Sequence, residues 1–159
     1  MSDPAGTTAR PTLRWCSFRL AQECFAVESA VVVEVMRCRL PTPVPLAARG
    51  VLGLVQIRGR IVPVIDPGAL LGLPGRGLER GGTLLVITSG DDWYGLTVDE
   101  MLDVLDIPPG RVERPTGGPG LVVGTFAAPD RLVHLVDPER MIHSLSRQRA
   151  PVGGRAGVT

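Results

Sequence analysis

The sequence feature that most constrains the fold is a twelve-residue pattern that occurs twice. Residues 60–71 read RIVPVIDPGALL and residues 131–142 read RLVHLVDPERMI, so an Arg, an apolar run and Asp-Pro recur at the same spacing. A glycine precedes each Arg by seven residues, Gly53 in the first copy and Gly124 in the second. Such internal similarity predicts one small structural unit that is duplicated within the chain.

Composition excludes several classes of protein. The chain has 159 residues, of which 44% are hydrophobic and 21% charged, as in an ordinary globular domain. No apolar run exceeds four residues, so the sequence predicts no membrane span. A net charge of +1 with scattered arginines and 4% aromatics argues against nucleic-acid binding. Three cysteines without a Cys-x-x-Cys motif predict neither a disulfide framework nor a zinc site, and favour a cytoplasmic protein.

Short β-like runs alternate with Gly- and Pro-rich turns along most of the chain. About ten such runs, with turns every 8–12 residues, are typical of small barrels or a sandwich. We therefore predict an all-β domain over residues 13–146, with one lobe at about 13–72 and the other at about 83–145. The Gly-, Pro- and Arg-rich ends, residues 1–12 and 147–159, are predicted to be disordered tails.

The repeated aspartates, Asp66 and Asp137, allow two interpretations. In pepsin-like hydrolases each lobe supplies one aspartate of a catalytic pair, but a hydroxyl residue is needed after each aspartate, and here both are followed by proline. In a structural interpretation each aspartate is a helix N-cap and the proline takes the first helical position. The pattern favours two structural caps and no enzymatic activity, and leaves the hydrolase as a remote alternative. A third hypothesis, a module that binds proline-rich peptides, is disfavoured by the scarcity of aromatic residues.

Three segments resemble the CheW family of chemotaxis coupling proteins. They are VVVEVMR at residues 31–37, VLGLVQIRGRIVPVIDP at 51–67 and the long stretch 84–115. The resemblance extends over about residues 13–145. It implies two five-stranded SH3-like β-barrels packed face to face, with short connecting helices, which would account for the repeat.

The resemblance also implies a function. Members of the family are non-catalytic adaptors that connect the cytoplasmic tip of methyl-accepting chemoreceptors to the regulatory domain of a CheA-type histidine kinase. The chain is accordingly expected to be cytoplasmic, recruited to membrane receptor arrays, and without metal or cofactor. Met36 and Arg37 depart from the Arg-Gly that commonly stands there. An accessory CheW-like protein of a non-chemotaxis two-component pathway, with weak kinase coupling, is therefore an alternative.

Site residues follow from the same resemblance. An arginine fork could hold carbonyl or carboxylate oxygens of a receptor helix. The apolar strand edges of both lobes are candidates for pairing with the kinase. The residues expected to bind the receptor are Glu34, Gly53, Arg58 and Gly59. Those expected to bind the kinase are Val31, Val33, Val123 and Phe126.

Overall fold

The computed structural model describes residues 11–74, 82–116 and 120–145. The predicted tails lie outside these ranges, apart from residues 11 and 12. The ten strands are β1 (Leu13–Leu20), β2 (Glu23–Glu28), β3 (Val32–Arg37), β4 (Val51–Ile57), β5 (Arg60–Ile65), β6 (Thr83–Ser89), β7 (Asp92–Val98), β8 (Glu100–Ile107), β9 (Val122–Ala128) and β10 (Arg131–Val136). The helical segments are two 3-10 turns (Ser29–Val31, Pro109–Arg111), α1 (Pro67–Leu70) and α2 (138–145).

The strands form two five-stranded sheets, so the predicted all-β class is confirmed. The sheet called barrel 1 has the order β3-β6-β7-β5-β4, and the sheet called barrel 2 has the order β8-β1-β2-β10-β9. In each barrel, the segment that follows the first strand in this order forms a β-bridge with the last strand. Thr42 pairs with Leu54 in barrel 1, and Glu113 pairs with Thr125 in barrel 2. These bridges cover the exposed edges of β4 and β9.

The predicted lobe boundaries, 13–72 and 83–145, do not match the barrels. The hairpin β1–β2 belongs with β8, β9 and β10, whereas β6–β7 belongs with β3, β4 and β5. The sequence repeat is real, because each strand of β1–β5 has its counterpart in β6–β10. Each barrel, however, combines the hairpin of one repeat with three strands of the other.

The length of two linkers explains this exchange. Within a barrel, the hairpin strand β7 and the strand β3 flank β6, and both run antiparallel to it. If β8 took the place of β3, it would run parallel to β7, and a parallel connection needs a crossover of a dozen or more residues. Only Asp99 separates β7 from β8, and only Ser29–Val31 separates β2 from β3. At each of these two linkers the chain must therefore cross into the other barrel.

Three apolar clusters hold the fold together. One fills barrel 1 around Val62, Val64 and Val86, and a second fills barrel 2 around Val133 and Leu135. The third lies between the barrels and contains residues from both, among them Phe18, Phe25, Ile65, Leu85, Ile87, Leu96 and Met141. Because the third cluster is continuous with both sheets, the two barrels share one core rather than forming separate domains.

Candidate interaction surface

An exposed ion pair joins Arg58 to Glu34 across one end of barrel 1. The guanidinium Nε of Arg58 donates to the Glu34 carboxylate Oε1 at 2.7 Å. Glu34 projects from β3, which pairs with β6, whereas Arg58 lies at the tip of the β4–β5 hairpin. The structure thus brings together two residues that are 24 positions apart and that the sequence assigned to the same receptor-binding surface.

The conformation of the hairpin sets the position of Arg58. Arg58 and Gly59 are the two loop residues between the paired Ile57 and Arg60, and their φ angles are +53° and +81°. Positive φ at both positions is the geometry of a two-residue turn that matches strand twist, and it favours glycine at one of them. Gly59 is exposed and supplies this geometry. The turn therefore presents the arginine at the apex of the hairpin.

The ion pair contributes little to folding. The Arg58 side chain is 67% exposed, against 24% for Glu34. Exposed pairs are worth about 1 kcal/mol at most. The guanidinium carries five N–H donors, and one of them bonds Glu34, so the fork retains donors that face solvent. Such an arrangement suits recognition of a partner more than stabilisation of the barrel.

Two further arginines, Arg39 and Arg60, lie beside the turn of this hairpin. Neither was predicted from the sequence to belong to a binding site. Arg39 donates to the carbonyl oxygen of Gln56 at 3.3 Å. Arg60 stacks on the Trp93 ring at 4.4 Å, a cation–π contact, and also donates to a backbone carbonyl in the β6–β7 turn. These contacts orient both guanidinium groups, and neither group has a carboxylate partner among the described residues. Arg60 begins the repeated pattern, and this position in the repeat was the signal available from the sequence.

Gly53 is buried in β4, and its place at the receptor-binding surface stays a prediction. It lies at a register shift in β4 with a φ of +149°. A Cβ atom there would clash with the backbone of Thr42, the residue that closes barrel 1. Gly124 is its counterpart in barrel 2, where a Cβ would meet Val112 Cγ1 at 2.5 Å. Both glycines permit the close approach of the bridging segment.

The four predicted kinase contacts differ in accessibility. Phe126 is 8% exposed, belongs to the barrel 2 core and lies under the guanidinium of Arg111, and its role as a kinase contact stays a prediction. Val33 is half-buried against the barrel 1 core. Val31 and Val123 are also half-buried, and the structure places them along the same cleft. Phe126 pairs with the buried Val133 of β10 and lies on the same face of β9 as Gly124, two positions before it.

The most exposed large apolar residues lie in the Pro-rich segment after β3. Leu40 is 77% exposed and Leu46 is 87% exposed, and the latter has a φ of +61° that is unusual for leucine. The segment borders a cleft of about 320 Å³ whose opposite wall includes Tyr94. Burial, and to a smaller degree Asp92, raises the pKa of Tyr94. Strand alternation gives no signal in a Pro-rich stretch of this kind.

The two aspartates cap helices. Asp66 is buried, and its Oδ1 accepts from the Gly68 amide at 3.1 Å at the start of α1. Asp137 accepts from the Glu139 amide at 3.0 Å at the start of α2. Each carboxylate satisfies an amide that has no partner within its own helix. The two corners follow β5 and β10, which belong to different barrels, and they line different clefts. This arrangement does not form the shared dyad of a hydrolase.

Within the described ranges, no group of three or more His, Cys, Asp or Glu side chains is placed to hold a metal ion. None of the helices found there is long and apolar enough to cross a membrane. In the part of the chain that the structure describes, Arg58 and Glu34 are the predicted binding residues whose side chains contact each other, and they do so at one end of barrel 1.

Comparisons with known proteins agree with this architecture. A sequence profile of the CheW-like domain matches residues 14–146. The chain is 27% identical to the chemotaxis protein CheW of Rhizobium meliloti over 139 residues, 84% of this chain and 90% of that protein. It is 33% identical to the protein FrzA of Myxococcus xanthus over 103 residues, 63% of this chain and 62% of FrzA.

Two further matches concern a kinase and a solved structure. The chain is 28% identical to part of the chemotaxis protein CheA of Cereibacter sphaeroides, over 76% of this chain but 18% of CheA. The crystal structure of the scaffolding protein TtCheW from Thermoanaerobacter tengcongensis superposes with a TM-score of 0.72 and 25% identity, over 80% of this chain and 90% of that one. Since the profile spans almost the whole described fold, the chain belongs to the CheW-like domain family, and like the CheW proteins of that family it is a non-catalytic scaffold protein.

Proposed function

We propose that the chain is a non-catalytic adaptor that couples a methyl-accepting receptor to a CheA-type histidine kinase. The receptor tip binds at the Arg58–Glu34 end of barrel 1, and the kinase regulatory domain binds at a separate face. Binding to the receptor recruits this protein, and the kinase with it, to membrane receptor arrays. The observation that carries the proposal is the 2.7 Å ion pair with Glu34, which orients an exposed arginine at the apex of the β4–β5 hairpin.

The similarity to part of CheA supports a kinase as one partner. A region of the CheA protein that amounts to 18% of its length resembles this chain over most of the fold. A kinase with a domain of this kind offers barrels of the same shape, and two related barrels can associate through equivalent strand edges. Val31 and Val123 remain the predicted kinase contacts, since both line an accessible cleft.

Charge reversal at Arg58 tests the receptor site. Arg58→Glu places a second carboxylate beside Glu34 and removes the fork, so we expect at least a tenfold loss of affinity for a receptor cytoplasmic fragment. Isothermal titration calorimetry measures the affinity. The Tm should stay within about 2 °C of the wild-type value, because the pair is exposed.

A double variant separates recognition from the internal ion pair. Arg58→Glu combined with Glu34→Arg restores an ion pair of opposite orientation but not the fork at the apex. We expect receptor binding to stay weak. Arg14→Glu is the matched control, since Arg14 forms another exposed pair, with Asp106 at 3.2 Å. Full receptor affinity in Arg58→Glu, or equal losses in Arg14→Glu, would exclude Arg58 from the receptor site.

An accessory role outside chemotaxis is the second candidate. Two relatives carry names other than CheW: FrzA is 33% identical to the chain and PilI of Pseudomonas aeruginosa is 29% identical. The same binding surfaces would serve such a pathway, with a different receptor and weaker kinase coupling. Kinase activity assayed with receptor, in the presence and absence of the chain, separates the two roles: a true coupling protein changes the rate of phosphorylation severalfold.

A further inference from the structure

An apolar surface covers the outer side of the β4–β5 hairpin in barrel 1. The inward residues of the two strands belong to the barrel 1 core: Val55, Ile57, Val62 and Val64. The alternate residues therefore face outward, and they form two cross-strand pairs: Leu54 with Pro63, and Gln56 with Ile61. Leu54 and Pro63 also line the cleft of about 320 Å³ beside the Pro-rich segment. The outward side of the hairpin and this cleft thus form one continuous surface, which we call the outer hairpin surface.

This surface holds the most exposed apolar side chains of the described chain. The three large apolar residues with the highest exposed fractions are Leu46, Leu40 and Ile61, and the last of these is 68% exposed. Leu46 also has a left-handed backbone conformation, which is unfavourable for leucine. None of the described residues that line the cleft is charged. Exposed apolar groups that adjoin one another in this way are typical of a protein–protein contact.

The second repeat shows that the barrel does not require an apolar outer side. The residues of barrel 2 that correspond to Leu54 and Pro63 lie 71 positions later in the chain, and they are Thr125 and His134. Thr125 pairs with His134 in the β9–β10 register, as Leu54 pairs with Pro63 in the β4–β5 register. The same barrel architecture thus forms with a polar pair at this place. The apolar character of the outer hairpin surface is therefore available for a role other than folding.

Uncompensated cations border the outer hairpin surface at its Arg58 end. Neither Arg60 nor Arg39 has a carboxylate partner in the described part of the chain. The residue of barrel 2 that corresponds to Arg60 is Arg131, whose guanidinium lies within 3.6 Å of two aspartate carboxylates. The repeat therefore neutralises this arginine in barrel 2 and leaves it without a carboxylate in barrel 1. A partner of complementary chemistry is apolar along most of its length and carries a carboxylate at one end.

We infer that a helix of the receptor binds along the outer hairpin surface, with a carboxylate at the arginine end and an apolar side chain in the cleft beside Leu46. The inference rests on the proposed adaptor function and extends the receptor contact beyond the Arg58–Glu34 pair. The receptor is favoured over the kinase because the outer hairpin surface is continuous with the turn that presents Arg58. Leu54 lies four positions before Arg58, which is about 13 Å along a strand. A helix covers that distance in about nine residues, so its carboxylate and its apolar anchor are separated by about that number.

The double variant Leu46→Gly/Ile61→Thr tests the apolar part of this contact, because it removes two exposed apolar side chains and keeps every arginine. Glycine suits the positive φ at position 46 and threonine suits a strand, so the Tm should stay within about 2 °C of the wild-type value. We expect a loss of about tenfold or more in affinity for the receptor cytoplasmic fragment, measured by isothermal titration calorimetry. Affinity for the kinase regulatory domain should not change.

Leu132→Thr is the matched control for this variant. Leu132 occupies the same position of the repeat as Ile61 and is 51% exposed on barrel 2. Its replacement should leave both affinities unchanged. The variant Arg39→Gln/Arg60→Gln tests the charged end separately. Receptor affinity should depend less on salt in this variant than in the wild type, whereas Leu46→Gly/Ile61→Thr should keep the wild-type salt dependence.

Several results would overturn the inference. If Arg58→Glu weakens receptor binding and Leu46→Gly/Ile61→Thr does not, the extended contact is wrong and the adaptor proposal stands. An equal loss in Leu132→Thr, a loss of kinase affinity in place of receptor affinity, or an unchanged salt dependence in Arg39→Gln/Arg60→Gln also contradicts it. If the wild-type chain self-associates in sedimentation velocity and Leu46→Gly/Ile61→Thr is monomeric with full receptor affinity, the surface binds a second copy instead. If the wild-type chain does not bind the receptor fragment, the proposed function itself fails.

Discussion

Replacing Gly53 by alanine tests how barrel 1 is closed. At this position the backbone φ of +149° is unfavourable for any residue with a Cβ atom. The added methyl group would also meet the Cβ of Pro41 at 2.9 Å and the backbone of Thr42. The bridge between Thr42 and Leu54, held by two backbone hydrogen bonds of 2.8 Å, would have to open or shift.

The expected cost follows from these contacts. An unfavourable backbone conformation costs about 1–3 kcal/mol. Two backbone hydrogen bonds contribute about 1 kcal/mol each. If the bridge is only partly lost, the free energy of unfolding falls by about 3 kcal/mol. For a domain of this size, that corresponds to a fall in Tm of about 6–12 °C.

Thermal unfolding followed by circular dichroism measures the effect, and urea denaturation gives the free energy. Gly110→Ala is the matched control, because a Cβ there meets nothing within 4 Å and its φ is not positive. Its Tm should change by less than about 2 °C. If Gly53→Ala is as stable as Gly110→Ala, the bridge does not close barrel 1, and the explanation given for the repeated glycines is wrong.

Two other predictions concern single side chains. Asp66→Ala removes the buried cap of α1 and should lower the free energy of unfolding by about 1–2 kcal/mol, measured in urea; an unchanged midpoint would refute the capping role. Tyr94 is the only tyrosine, so absorbance near 295 nm follows its titration directly, and the midpoint should lie above that of free tyrosine and fall in Asp92→Asn. Because the folded pKa is raised, the stability from neutral Tyr94 is complete below the unfolded pKa and is lost as pH rises through the folded pKa; a midpoint at the free value would contradict its burial.

Much of the fold follows from the repeated pattern. The pattern of Arg, apolar run and Asp-Pro indicates a strand that leads into a capped helical turn, and both Asp66 and Asp137 accept the expected amide hydrogen bond. The repeat also identifies equivalent positions in the two barrels. It does not indicate which strands pair. The repeated sequence would be the same whether the hairpin of one repeat pairs with the three strands of its own repeat or with those of the other repeat. The single-residue linker at Asp99 carried that information, through the length that a parallel connection requires.

The candidate site was predictable in part. The family resemblance selected Arg58 and Glu34, and they are in contact. It could not show that Phe126 is buried, because the burial depends on how β9 and β10 pack in barrel 2.

The most direct test of the adaptor role is co-sedimentation with vesicles that carry the receptor cytoplasmic domain. The kinase regulatory domain is added with the wild-type chain, with Arg58→Glu, or alone. We predict that the kinase domain sediments with the wild-type chain and stays in the supernatant in the other two samples. Equal sedimentation of the kinase domain with and without the chain would contradict the proposal that this protein couples the two partners.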